Sequence, residues 1–106
     1  MVTINIKEEF SATTGFRTYD DGPKSGLEFY DVLLNEKFDE AQKNGVKLKV
    51  ILDGGEGYTS SFLNEAFRLL GEKYGAENVW NNIIIISEEW PKYIKKIKDS
   101  IYEMGK

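Results

Sequence analysis

Residues 48–70, LKVILDGGEGYTSSFLNEAFRLL, leave this chain few ways to fold. Val50, Ile51 and Leu52 are β-formers in an unbroken apolar run, the pattern of a strand buried on both faces. Asp53-Gly54-Gly55-Glu56-Gly57 halts that strand, because closely spaced glycines supply positive φ and a tight reversal. Phe62, Leu63, Ala66, Phe67, Leu70 and Tyr74 then recur at helical spacing. Thr59-Ser60-Ser61 therefore lies between the carboxyl end of a strand and the amino end of a helix. Open α/β sheets place their chemistry there.

The flanking segments extend the same alternation. Val2-Thr3-Ile4-Asn5-Ile6 alternates as a half-buried first strand. Phe16-Arg17-Thr18-Tyr19 is an optional short second strand, followed by the turn Asp20-Asp21-Gly22-Pro23. Ser25 and Glu28 fit a capping box that opens a long helix. Leu27, Tyr30, Leu34, Phe38 and Ala41 form its buried stripe, and Asn44-Gly45 ends it. Residues 46–52 are the next strand, with Lys47 and Lys49 on its exposed side at the start. The helix from Ser60 or Ser61 to Tyr74 is closed by Gly75, and Val79-Trp80 reads as a turn or the start of a strand. Ile83–Ile86 reads as a central strand buried on both faces. Ser87 caps a last helix, with Glu88, Glu89 and Pro91 in its first turn and Trp90, Ile94, Ile97, Ile101 and Met104 as its stripe. The order β-(β)-α-β-α-β-α predicts an α/β fold: a mixed, largely parallel sheet with right-handed crossovers, in one domain over residues 1–106.

Composition enters by what it removes. Fourteen basic against eighteen acidic side chains give a net charge of -4, which argues against a reader of phosphate backbones. Lys92, Lys95, Lys96 and Lys98 cluster, but Asp99 and Glu103 interleave with them as on a solvated helix face. Cysteine and histidine are both absent, which removes disulfides, thiolate chemistry, the usual zinc and copper sites and the commonest general base. No apolar run approaches the ~20 residues of a membrane helix, and MVTINIKEEF lacks the charged-then-apolar order of a signal peptide. Cytoplasmic residence is the default expectation, with no nucleic-acid or membrane partner.

Several residue groups compete for a functional role. Asp53, Glu56 and Glu65 would suit magnesium or calcium as oxygen ligands. They lack a calcium-loop spacing, so turn-forming and solvated charge is the favoured reading. Residues 54–57 lack both the P-loop ending and the dinucleotide fingerprint, so they read as a turn. Trp80 and Trp90 read as packing residues. Arg17 and Arg68 are the only arginines; for Arg17 an anion clamp and a surface salt bridge stand level. A serine at the start of a helix most often caps it, worth ~1 kcal/mol. Ser60 and Ser61 are also placed for a phosphorylation switch, since a phosphate adds about -1.5 to -2 charge where helix amides attract anions.

The segment around these serines resembles the STAS domain of anti-sigma factor antagonists. There a Ser-Ser or Ser-Thr pair follows an acidic residue after a strand ending in Asp, and an ATPase-fold serine kinase, itself the anti-sigma factor, phosphorylates the first hydroxyl. Nearly the whole chain is similar to the STAS-like family of unknown function (DUF4325 type). That family's Gly-Pro-x-Ser-Gly-x-x-Phe stretch is here Gly22, Pro23, Ser25, Gly26 and Phe29, preceded by Phe16-Arg17. Its Ser-Ser-Phe-Leu-Asp-Glu-Ala-Phe run is here Ser60, Ser61, Phe62, Leu63, Asn64, Glu65, Ala66 and Phe67. The chain departs from the antagonists at Thr59, where they carry an acidic residue, and at Phe62, where they carry glycine.

The resemblance implies a non-enzymatic regulatory module of STAS-like fold, needing no cofactor or metal. Its implied partner is a histidine-kinase-like ATPase or an anti-sigma-type switch protein. The implied docking surface comprises Arg17, Ser25, Asp53, Gly55, Glu56, Tyr58, Thr59, Asn64 and Glu65, with Ser60 the first phosphorylation candidate and Ser61 the second. The alternative is a small-molecule or nucleotide sensor that takes an anion at the same helix N-terminus, with Arg17 as clamp. A small enzyme resting on Ser60, Asp53, Glu56 and a metal is disfavoured.

Overall fold

The β-branched runs at positions 2, 48 and 83 pair as a three-stranded, all-parallel sheet in the order β1-β2-β3, seen in a computed structural model that describes residues 2–12 and 15–103. β1 is Val2–Asn5, β2 is Leu48–Ile51 and β3 is Ile83–Ile86. Val2, Leu48 and Ile83 share one row, and Ile4, Val50 and Ile85 the next row on that face. A one-turn helix α1, Ile6–Glu9, follows β1 and is capped by the Asn5 side chain, which accepts the Glu8 N–H. A long helix α2 runs through Gly26–Phe29, Tyr30–Leu34 and Asn35–Asn44. Helix α3 is Ser60–Tyr74, α4 is Ala76–Asn81 and α5 is Lys92–Tyr102. No helix among the described residues is long and apolar enough to cross a membrane.

Strands laid down in sequence order and joined by right-handed crossovers place both connections on the same side of the sheet. The burial of the strands follows from this. Val2, Ile4, Leu48, Val50 and Ile83 are buried, while Thr3, Asn5, Lys49, Ile51, Ile84 and Ile86 alternate with them and keep contact with solvent. The expectation that the second and last strands are buried on both faces is therefore corrected. Helices cover one face only, and β3 is an edge strand rather than a central one.

The predicted second strand at Phe16-Arg17-Thr18-Tyr19 does not form. Its carbonyls are used by a helix end instead: Phe16 O accepts from Gly26 N and Arg17 O from Leu27 N, so the segment lies across the start of α2. Val79-Trp80 sits within α4. The last helix begins at Lys92, later than expected, because Asp53 takes the amides of Glu88 and Glu89 and Ser87 donates to the Trp90 carbonyl. Its buried stripe is Tyr93, Ile97, Ser100 and Ile101; Met104 lies outside the described residues.

The capping box of α2 is present with a shifted second half. Ser25 accepts the Glu28 N–H, and Glu28 in turn accepts the N–H of Lys24, not of Ser25. The stripe of α2 changes phase at its fourth residue. Tyr30–Leu34 is wound as a π-helix, closed by the Asn35 N–H on the Tyr30 carbonyl. This wider turn brings Phe29 and Leu34, five apart, onto one buried face, so that Phe29 takes the place expected for Leu27 and Tyr30 while Leu34, Phe38 and Ala41 are buried as expected. Phe29 then packs in tilted ring contacts at 5.3 Å on Phe10 and 5.5 Å on Phe62.

Candidate functional site

The two sequence motifs meet in space. Gly26, at the start of α2, lies against the first turn of α3, where a methyl group would overlap the Phe62 carbonyl oxygen. Ser25, wholly buried, caps α2, and Phe29 packs on Phe62 and Phe67. Gly22 lies under the ring of Phe16. The first motif thus seats α2 on α3 and fixes the position of the segment carrying Arg17.

Thr59 is the residue that caps α3: its hydroxyl accepts the Phe62 N–H at 3.2 Å. Ser60 and Ser61 are consequently the first two residues of the helix, and neither hydroxyl is engaged by a hydrogen bond among the described residues. Ser60 is exposed and Ser61 half-buried. Together with Arg17, Asn64, Lys96, Asp99 and Ser100 they line a surface groove of ≈ 300 Å³. Arg17 and Ser61 also border a second depression with Phe16 and Asp21.

Arg17 is 40% exposed and is already engaged. Its Nη1 donates to Asn64 Oδ1 at 2.8 Å and to Glu65 Oε1 at 3.1 Å. Glu65 is a nearly buried carboxylate that periodicity alone does not reveal, and Arg68 Nη2 shares the same oxygen at 2.8 Å. The hydrogen bond that Arg68 donates to Glu65, against the opposing effect of burial and with help from Glu72, holds the guanidinium above its ordinary pKa. Asn64 donates onward to Ser100 Oγ at 3.1 Å and Glu103 Oε1 at 2.7 Å, tying α3 to α5.

The remaining predicted residues are placed elsewhere. Asp53 caps the 88–89 turn and so fastens the end of β2 to the segment after β3. Gly55 lies under the Tyr58 phenol, and Glu56 is exposed with its N–H on the Ala12 carbonyl. Tyr58 is buried; its N–H donates to Tyr93 Oη, and burial, then Tyr93, Asp53 and Glu89, push its phenol up to about 12. The structure therefore gathers Arg17, Thr59, Ser60, Ser61, Asn64 and Glu65 at one helix end and leaves Asp53, Gly55 and Glu56 in the adjoining loop. Asp53, Glu56 and Glu65 do not converge, and among the described residues no cluster of acidic side chains is arranged to hold a metal.

Three residues of the groove, Lys96, Asp99 and Ser100, escaped sequence reasoning. Lys96 and Ser100 lie one turn apart on α5 and reach the site because α5 packs along α3, with Gly71 against the Ile101 carbonyl. The only local signal was their spacing of four, which a solvated lysine face shares. The remaining lysines of that face behave as expected, with Lys95 paired to Asp99 at 2.9 Å. Trp80 and Trp90 pack against the core, Trp90 on Tyr93 at 5.7 Å.

The family described as a STAS-like domain of unknown function (DUF4325) matches residues 25–91. That span holds α2, β2, α3, α4 and β3, the capping serine of the first motif and the whole second motif; β1, Arg17 and α5 lie outside it. No curated protein and no solved structure matches the chain.

Proposed function

This chain belongs to the family of STAS-like domains of unknown function, and from that membership we propose that it is a non-enzymatic regulatory module whose docking to a protein partner is switched at the start of α3. The partner in this reading is a histidine-kinase-like ATPase or an anti-sigma-type switch protein. It contacts the loop 53–59, Ser60 and the exposed side of α3. Phosphorylation of Ser60, with Ser61 second, adds negative charge to that surface and weakens docking.

The observation that carries the reading is the division of labour at 59–61. Thr59 supplies the cap, so Ser60 presents an uncommitted hydroxyl beside Arg17 and Lys96. A phosphate there meets helix amides, two cations and the carboxylate of Asp99, which Lys95 already pairs, without disturbing the core. Incubation with ATP and each candidate ATPase-fold kinase, followed by mass spectrometry of the 60–61 peptide, is expected to show a phosphoserine. Loss of docking by the phosphorylated form is expected with it. If every candidate leaves both serines unmodified, the switch is wrong.

The second reading, an anion or nucleotide sensor, is favoured by the same two cations at the groove. It requires Arg17 to leave Asn64 and Glu65, which is affordable only because Arg68 continues to neutralise Glu65. A melting temperature raised by one nucleotide of a panel supports it, and a flat response across the panel removes it.

A further inference from the structure

Four large apolar side chains are exposed among the described residues, and three of them share one flank: Phe16 at 41%, Tyr19 at 51% and Val32 at 55%. Phe16 and Tyr19 belong to the segment that crosses the start of α2. Tyr19 reaches that helix, donating its hydroxyl to Asp31 Oδ2 at 3.0 Å, and Val32 is the next residue. Asp31 and Val32 lie in the π-wound segment Tyr30–Leu34, whose extra residue is accommodated on the outer side of α2 while Phe29 and Leu34 face the core. Helices give up regular winding at a cost, and such widened turns recur at functional positions.

Charge identifies the occupant. Asp20, Asp21, Glu28 and Asp31 surround these side chains, and none of the four forms an ion pair among the described residues. The two nearby cations are already engaged: Arg17 by Asn64 and Glu65, and Lys24 over the Phe10 ring at 4.9 Å. The flank is thus apolar, aromatic and negative. Lysine and arginine fit such a surface twice over, laying their methylene stems and charge on aromatic rings and their heads against carboxylates.

We infer that the flank formed by residues 16–22 and the outer face of α2 around Asp31 and Val32 is a docking surface for a basic, amphipathic segment of a partner protein. It adjoins the groove at Ser60, with Arg17 lining that groove and Phe16 and Asp21 meeting Ser61 in the neighbouring depression, but docking on it does not depend on phosphorylation. Negative sign disfavours nucleic acid and anionic lipid at this flank. Tyr19 registers the local field: desolvation, the hydrogen bond to Asp31 and the charges of Asp31 and Glu28 all raise its pKa.

The test is a titration of the isotope-labelled chain, followed by amide chemical shifts, with an amphipathic helical peptide of leucine and lysine and with its glutamate-for-lysine counterpart. The lysine peptide is expected to bind saturably and to move the signals of residues 16–22 and 28–36, and the glutamate peptide not to bind. Tyr19→Ser and Val32→Ser, each at an exposed position and checked for an unchanged melting temperature, are expected to weaken binding about tenfold. Asp31→Asn is expected to reduce the dependence of binding on salt. Absence of saturable binding, equal binding of both peptides, shifts spread equally over Glu8, Glu9, Glu88 and Glu89, or unchanged affinity in both serine variants overturns the inference. Self-association through the same residues overturns it as well, by assigning the flank to a second copy.

Discussion

The Tyr93 hydroxyl accepts the Tyr58 N–H at 3.0 Å, while the Tyr58 hydroxyl, on a residue only 5% exposed, has no hydrogen-bond partner among the described residues. Removing the two hydroxyls therefore has opposite consequences. Tyr93→Phe strands a buried amide and is expected to cost ~1–3 kcal/mol, whereas Tyr58→Phe removes an orphan and is expected to be neutral or stabilising. Urea melts of the two variants check this. The same phenol sets an alkaline limit. Its pKa is pushed up to about 12 in the folded chain against the ordinary value of 10.0, so the folded state holds a proton that the unfolded state releases first. Stability is at its full value below pH ~10 and declines as pH rises toward 12. Tyr58→Phe is expected to flatten that decline, and unfolding measured across this window checks it. Part of the site was legible at this scale. A Ser-Ser pair after a strand and before a helix announces its own exposure. Which of Thr59, Ser60 and Ser61 would cap was not legible, since threonine and serine both serve and the choice depends on where the helix starts. Glu65 hid within an apolar stripe because its pairing with Arg68, three residues on, looks like an ordinary solvated pair, and its second partner, Arg17, is brought to it only by the fold.

Gly71 shows how two helices can set a residue against its own propensity. Alanine would gain ~1 kcal/mol of helix propensity there. A methyl group, however, would overlap the Ile101 backbone where α5 crosses α3, and overpacking typically costs ~1–3 kcal/mol or more. The contact wins: Gly71→Ala is expected to lower the melting temperature and to loosen α5, including its groove residues Lys96 and Ser100. A melting curve with hydrogen exchange on α5 checks it, and an unchanged melt would mean that the helices separate freely. Period counting served the regular helices well. The boundaries of α3 and the glycine stop after Asn44 follow from local chemistry that the folded chain keeps. It failed in the first part of α2, at Leu27 and Tyr30, because a single π turn moves the phase and no residue type announces one, and it held from Leu34 onward. It failed at β3 as well. An unbroken isoleucine run looks the same whether a strand lies in the middle of a sheet or at its border, and only the order of strands separates the two.

At the scale of the molecule, the sheet has a helical side and a bare side. The bare side carries two rows, Thr3-Lys49-Ile84 and Asn5-Ile51-Ile86. All-parallel sheets ordinarily have both faces covered, so this arrangement departs from the habit of its class. Ile85, which the sequence placed in a strand buried on both faces, is only partly buried, and its truncation is accordingly expected to be milder than the ~3–5 kcal/mol of a fully buried phenylalanine such as Phe67. Ile84 lies directly across from Lys49, so Ile84→Glu creates an opposite-charge pair on the solvent side and leaves the core intact. Its melting temperature is expected to match that of the parent, while turbidity during refolding at rising concentration is expected to fall; equal turbidity would count against this reasoning. A border of four isoleucines with no charge, proline or bulge to interrupt it has a colloidal consequence. In a crowded solution of incompletely folded chains, like borders add to one another strand upon strand. Yield and storage lifetime are then decided along that seam, however well the interior is packed.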